Sequence, residues 1–372
     1  MDNGILILFT LVIAFLFSFA AVPLVRVLAF KIKAVDVPRD NRRMHTKPIP
    51  RMGGLAIYLG FFVAYMCFAG PVEQETFGIL IGASLLVLLG ILDDRKPIPA
   101  IIKLAVQLIA AIIPVAMGLR IDFISRFNFF AEGTNHMLGA LAIPVTVIWI
   151  IGLTNALNLI DGLDGLAGGI TTISAFSLMF ISFVFGRIEC AIAMAAIAGA
   201  TLGFLPYNLN PAKIFMGDTG ALFLGYMLAT LSVDGFFKGY TAVTFIIPLV
   251  VMGLPLFDTS FAILRRMLKR EPIMQPDRSH LHHRLIDAGF SQRQAVAILC
   301  TVSGLLSLTA IVLITAGWKR TLLMVAVSLL YLVGCIIYVK NKNYEQKFLQ
   351  ELAQKEGYQI AIEETRDGNS EK

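Results

Sequence analysis

This sequence is short of charge. Only 15% of its 372 residues are Asp, Glu, Lys or Arg, against 57% hydrophobic ones, and the mean hydropathy is +0.77. Those values lie outside the range of soluble globular domains and mark an integral membrane protein. Cysteine is scarce too. Cys67, Cys190, Cys300 and Cys335 fall singly within apolar stretches, so neither a disulfide framework nor a zinc site is expected. Strict polar and apolar alternation over segments of about ten residues is missing, which excludes a transmembrane barrel. No basic residue precedes the first apolar stretch, Ile5–Val25, which is too long for a cleaved signal and is expected to remain as a helix. There is no internal repeat and no soluble domain of any size.

What the sequence does have is a succession of apolar windows, most of them near the roughly 20 residues that a helix needs to cross the hydrocarbon core. Eleven can be counted, with Gly54–Ala69, Phe77–Leu92 and Ala221–Val233 the shorter ones. The expected fold is an all-α, polytopic membrane helix bundle of about 11 transmembrane helices. Residues 1–340 would form a transmembrane catalytic domain, and 341–372 a cytoplasmic tail that is partly helical and then disordered. An odd count puts the termini on opposite sides. The connections 31–51, 93–98, 155–165, 208–220, 265–294 and the tail after 339 hold 23 of the 31 Lys and Arg residues, and the other set holds six. Positive charge stays inside, so the N-terminus is expected outside and the C-terminus in the cytoplasm.

The same division sorts the acids. Asp93, Asp94, Asp161, Asp164 and Asp218, with His280, His282 and His283, all fall in the basic connections, while the opposite loops are short and bland. Potential chemistry therefore collects on one face.

Four constellations carry it. In "GILDDRKPIPAIIK", Asp93 and Asp94 end a window where unpaired carboxylates are costly and adjacent ones repel. Arg95 could balance them as a surface pair. Lys103, about one turn inside the next window, must reach back to the same surface, which favours a polyanion or metal site. In "NALNLIDGLDGLAGG", the spacing of Asn155, Asn158, Asp161 and Asp164 predicts neighbours on one helix face. Capping plus small-residue packing is the plainer reading, but a cap needs one acid and this stretch has four polar groups. In "NPAKIFMGDTGALFLG", Asp218 either caps the following helix or serves as a magnesium ligand, since that ion takes one or two carboxylates and completes its shell with water and phosphate oxygens. In "PDRSHLHHRL", three histidines lack a further ligand to complete a zinc tetrahedron. With Arg278 and Arg284 interleaved, the run suits phosphate or sugar oxygens better. A short helix is expected near Ser291 in the same connection. "HTKPIPRMGG" adds His45, Lys47 and Arg51 as topology determinants and anion contacts, and Asp258 lies where Pro255 is expected to kink the ninth window, Ala242–Leu264.

Carboxylates beside bases and glycines, with no nucleophile–histidine–acid order, point to magnesium-assisted phosphoryl chemistry rather than acyl transfer. A site at the membrane surface implies one lipid and one soluble substrate. A transporter is the rival class, but it would carry its polar residues in mid-membrane, and most windows here have clean centres.

Together, "LDDR", "NALNLIDGLDGLAGG", "NPAKIFMGDTGALFLG" and "HLHHRL" resemble the polyprenyl-phosphate N-acetylhexosamine-1-phosphate transferases over roughly residues 40 to 300. The His-x-His-His loop is most similar to the WecA/TagO-like branch; the MraY-like branch, which uses UDP-MurNAc-pentapeptide, has a different histidine loop. The resemblance implies transfer of N-acetylglucosamine 1-phosphate from UDP-N-acetylglucosamine to undecaprenyl phosphate, with release of UMP and Mg²⁺ or Mn²⁺ as cofactor. That step would initiate cell-envelope polysaccharide at the bacterial inner membrane, with the site facing the cytoplasm. The partners implied are the two substrates and the lipid bilayer; a homodimer is allowed, and no nucleic acid is expected. By position, Asp218 and Asn158 would be metal contacts. Asp93 would position or deprotonate the lipid phosphate with support from Asp94, and Lys103 would neutralise phosphates. Asp161 would act in catalysis by orienting the nucleotide or metal shell, with Asp164. His280, His282, His283 and Arg278 would bind sugar and diphosphate. Asn155 belongs to the substrate-binding set but is the member most readily explained as structural.

Overall fold

The computed structural model describes residues 2–38, 47–121, 123–125, 135–237, 242–270, 272 and 280–331, with scattered positions from 333 to 344. Apolar runs become helices because a backbone in hydrocarbon must satisfy its own hydrogen bonds. In order these are α1 (Asn3–Lys31), α2 (Gly53–Phe68), α3 (Gln74–Arg95), α4 (Ala100–Ala116), α5 (Ala142–Ile160), α6 (Leu166–Val184) and α7 (Ile188–Asn208). There follow α8 (Gly217–Ser232), α9 (Ala242–Val251), α10 (Gly253–Lys269), α11 (Leu281–Asp287), α12 (Gln292–Ala316) and α13 (Trp318–Tyr338). Among the described residues, eight helices are long and apolar enough to span a membrane, and α2 and α4 are shorter apolar helices. The chain is an all-α, multi-pass membrane protein. Among the described residues, strands are confined to two small antiparallel ribbons, β1 (Val35–Asp36) with β2 (Ile49–Pro50) and β3 (Phe123–Ser125) with β4 (Asn135–Met137).

The bundle is built around α8. Of its apolar stretch 94% is buried, against 28% for α1 and 6% for α13, whose outer faces carry the large apolar side chains expected in contact with lipid. α8 packs against α2, α3 and α5, while α7 packs against α1, α2 and α6. Its first turn is wedged between two helices at backbone distance. A Cβ at Gly54 of α2 would overlap the backbone of Gly220, and one at Gly90 of α3 the backbone of Thr219. Small residues let transmembrane helices approach this closely.

Two expectations from the sequence change here. The ninth window, Ala242–Leu264, is not one helix but α9 and α10, broken at Met252. Pro255 has no N–H to give the carbonyl of Val251, which instead accepts from Ser174 Oγ at 3.4 Å. The helix expected near Ser291 is α12 itself, whose capping box joins Ser291 and Gln294. The short helix of that connection is α11, ten residues earlier in the chain. The tail after 344 lies outside the described residues.

Candidate active site at the aspartate end of the bundle

The connections that carry the acids converge at one end of the bundle. Backbone pairing starts the convergence: Phe215 N donates to Pro50 O, Gly53 N to Phe215 O and Gly54 N to Met216 O. The strand-like segment before α2 is thereby zipped to the segment before α8. The effect is to bring Arg51 beside Asp94, Nε to Oδ1 3.5 Å.

Lys103 is the bridge. Its Nζ lies 2.8 Å from Asp218 Oδ2 and 3.3 Å from Asp93 Oδ2, so one ammonium from α4 joins carboxylates of α3 and α8 that are 125 residues apart in sequence. The second oxygen of each acid is also engaged. Asp93 Oδ1 accepts from Ile98 N at 2.7 Å, and Asp218 Oδ1 from Asn158 Nδ2 at 3.2 Å. Burial without partners would make such a cluster very costly, and the lysine offsets that cost.

Asp94 is turned to a different task. Its carboxylate accepts from Asp218 N at 3.0 Å, Thr219 N at 3.2 Å and Thr219 Oγ1 at 2.7 Å. These are free donors of the first turn of α8, where the helix dipole also favours an anion. The residue expected to cap this helix, Asp218, is therefore itself held by a cap from α3. Gly217, at φ +71°, turns the chain into the helix at this point.

The stretch 155–164 does not form one helical face. α5 ends at Ile160, so Asn155 and Asn158 stand on the helix while Asp161 and Asp164 lie in the turn that follows. Asn155 pairs with Gln107 of α4, its Nδ2 to Oε1 distance being 2.6 Å, and so fastens two helices. Asp164 Oδ2 accepts from Ala212 N at 3.1 Å and Asn210 Nδ2 at 3.0 Å, and Asn210 reaches on to Gln292 of α12. Asn208 completes the clamp by accepting from Gly165 N and donating to Ile214 O, each at 3.0 Å.

The turn and the 208–218 segment enclose a cavity of about 280 Å³ lined by Arg51, Asn158, Asp161, Asp218, His283 and Gln292, among others. Burial first, and then the charge of Asp218, pushes the Asp161 carboxyl up to about 7. Asp93, Asp94 and Lys103 are not on the cavity wall; they stand behind Asp218.

The histidine loop enters from the far side. Asp258 on α10 holds it, with Oδ2 2.9 Å from His280 Nδ1 and Oδ1 accepting from Leu281 N at 2.9 Å. His282 is buried, and a Cβ at Gly162 would overlap its Nε2, so the loop rests on the Asp161–Gly165 turn. Burial pushes the His282 imidazole down to about 4, with the neighbouring His283 and His280 acting in the same direction. Its Nδ1 has no partner among the described residues. Of the residues named from sequence, Arg278 and His45 lie outside the described residues. Sequence reasoning missed Asp36 and Gln292 on the cavity wall and the anchoring role of Asp258. A carboxylate in the first turns of a broken apolar helix was the available signal for the last.

Among the described residues, no three His, Cys, Asp or Glu side chains gather as a metal cage. One carboxylate and one amide, Asp218 and Asn158, facing an open cavity form a donor set suited to an ion that keeps most of its shell for water and phosphate.

Known proteins resemble this chain along most of its length. A family model described as glycosyl transferase family 4 matches residues 76–236, the stretch from α3 through α8 that bears Asp93, Lys103, Asn158 and Asp218. The chain is 42% identical to a probable undecaprenyl-phosphate N-acetylglucosaminyl 1-phosphate transferase of Bacillus subtilis, over 87% of this chain and 90% of that one. It is 33% identical to a decaprenyl-phosphate N-acetylglucosaminephosphotransferase of Mycobacterium leprae, over 80% and 81% of the two chains. It is 29% identical to an undecaprenyl-phosphate alpha-N-acetylglucosaminyl 1-phosphate transferase of Yersinia pestis, over 88% and 89%. With this degree of identity along nearly the whole chain, and with the four motifs meeting at one end of the bundle, the protein belongs to glycosyl transferase family 4 and is a membrane-embedded transferase of the kind its motifs resemble.

Proposed function

We propose that the protein transfers N-acetylglucosamine 1-phosphate from UDP-N-acetylglucosamine to undecaprenyl phosphate, releasing UMP and leaving a lipid-linked diphosphate sugar. The observation that carries this reading is the Lys103 bridge between Asp93 and Asp218, set behind an open polar cavity at the end of a membrane bundle. The names of the relatives supply the donor sugar and the class of acceptor.

In this reading, Asp218 and Asn158 would hold Mg²⁺ or Mn²⁺. The ion, when bound, supplies positive charge to the donor diphosphate and so eases departure of UMP. The remaining roles belong to the chain. Lys103 would neutralise phosphate oxygens, and Asp93 would position the acceptor phosphate or take its proton. Asp161 would orient the nucleotide end of the donor. His280, His282 and His283, with Arg278, would bind sugar and diphosphate. Asp94, Asp164 and Asn155 would act through other residues by fixing α8, the 208–218 segment and α4. Direct attack by the acceptor phosphate suffices, because two like-charged phosphates need alignment and charge balance more than a protein nucleophile.

The site would face the cytoplasm of the bacterial inner membrane, where the basic connections lie, and the product would initiate a cell-envelope polysaccharide such as teichoic acid or O-antigen. The test is direct: purified protein is incubated with radiolabelled UDP-sugars and undecaprenyl phosphate. Label in a lipid-extractable product from the N-acetylglucosamine donor is expected. Label from another donor only would redirect the assignment, and none from any donor would sink it.

A further inference from the structure

A second concavity lies beside the site and outside its chemistry. It is a groove of about 870 Å³ where the end of α1, the end of α3 and the start of α4 meet. Its walls are apolar: Leu92 is 58% exposed and Ile102 49%, and Ile98 is half-buried beside them. Its rim is basic. Lys33, Arg95 and Lys96 stand around it, all exposed, and none has an acidic partner among the described residues. Lys33 is held at φ +63° at the C-terminal end of α1, a left-handed position normally given to glycine. A lysine kept there despite that preference puts a charge on the rim, where the carbonyl end of α1 also favours a cation.

We propose that this groove binds an anionic glycerophospholipid, with its phosphate among Lys33, Arg95 and Lys96 and an acyl chain along Leu92 and Ile102. Three cations at a polar rim above an apolar trough match a lipid that is charged at one end and hydrocarbon at the other. The polyprenyl acceptor fits less well. Asp93, Lys103 and Asp218 do not line the groove, whereas Asn158 and Asp218 line the cavity of the site. A phosphate on the rim therefore does not meet the groups assigned to transfer. It does meet the turn that orients one of them: Arg95, Lys96 and Ile98 belong to the connection whose Ile98 N–H fixes Asp93. Lipid in the groove would steady that turn and, through it, the carboxylate.

The test uses the full chain in nanodiscs of phosphatidylcholine with or without phosphatidylglycerol. Lipid retention is read by native mass spectrometry, and transfer is measured in parallel. Wild-type protein is expected to retain phosphatidylglycerol selectively and to work faster in its presence. The triple variant Lys33→Gln, Arg95→Gln, Lys96→Gln should retain at least about tenfold less, since each basic residue at an anionic surface contributes roughly a fivefold factor. Leu92→Trp, which narrows the trough and leaves every charge in place, should also lose the lipid. Both variants should keep wild-type transfer in pure phosphatidylcholine and lose only the stimulation. Equal retention by wild type and both variants would overturn the proposal. So would a raised KM for undecaprenyl phosphate in pure phosphatidylcholine, which would make the groove the acceptor's own path. Selective retention by a wild-type protein that transfers nothing would leave the lipid site standing and count against the proposed reaction instead.

Discussion

Asp94 holds Thr219 twice, accepting from its amide at 3.2 Å and its hydroxyl at 2.7 Å, and so fixes the turn of α8 that carries Asp218. Adjacent aspartates in "LDDR" thus part company. Asp93 meets Lys103, whereas Asp94 is spent on a helix end in a neighbouring element.

This division makes the two acids separable by experiment. Asp94→Ala leaves buried donors of α8 without an acceptor, at about 1–3 kcal/mol each, and should lower both the melting temperature and transfer. Thr219→Val removes one hydrogen bond and should cost about 1 kcal/mol with partial activity. Asp93→Asn should lose transfer with little change in melting temperature. Thermal unfolding in detergent alongside the transfer assay reads all three, and an Asp94→Ala protein as stable as wild type would refute the capping role.

Lys103 and Asp218 face each other at 2.8 Å, half-buried, with Asp93 behind. Asp218→Asn should abolish transfer while the protein still inserts and folds, because the amide keeps the shape of the carboxylate and Lys103 keeps Asp93. Lys103→Met should be worse for folding. It leaves two carboxylates without their shared cation, and removal of one partner from a buried pair is the costly change. Near-normal transfer by purified Asp218→Asn protein would remove Asp218 from the proposed chemistry.

Much of this arrangement is legible in the sequence, and what is not has identifiable physical causes. Membrane helices announce themselves because a span needs a long apolar run, and five of the six connections grouped by the basic count meet around Asp218. Helix spacing misled at Asn155–Asp164. The Asp161–Gly165 turn ends α5 at Ile160, and chain spacing alone does not locate a helix end that depends on clamps from Asn208 and Asn210. Long-range partners were equally invisible. Nothing local to Asp94 marks Thr219 as its partner, and nothing local to Asp258 marks His280.

The donor set of one carboxylate and one amide predicts dependence on a hard divalent ion. EDTA should abolish transfer, and Mg²⁺ or Mn²⁺ should restore it. A zinc-selective chelator should have no effect. Full activity in EDTA would count against the whole reading of the cavity.

Asp161 gives the pH dependence of that cavity. With its carboxyl pushed up to about 7, the group is neutral in mildly acidic buffer and gains its charge as pH rises through that value. Divalent ions favour the ionised form, so the apparent affinity for Mg²⁺ should rise across this range in wild type. In Asp161→Asn it should be flatter. The stability sign is opposite: the folded state holds this proton more tightly, so its contribution is present below about 4 and lost as pH rises through 7. Mg²⁺ titrations of transfer at several pH values check the first statement.

The histidine loop supplies the last test, because its anchor and its buried member act on different observables. Asp258 grips His280 Nδ1 and Leu281 N, so Asp258→Ala should release the loop and raise KM for the nucleotide sugar more than it lowers kcat. The burial of His282 is read in the pH dependence of stability. Its imidazole, depressed to about 4, stays neutral in the fold at pH values where the unfolded chain takes up a proton. The unfolded state then binds more protons, so stability is fully present above about 6.5 and falls as pH drops toward 4. His282→Gln removes that linkage and should flatten the melting temperature between those limits, even if the variant is less stable throughout. Equal pH slopes for wild type and His282→Gln would show that another group governs the acid side, and would leave His282 without its assigned burial cost.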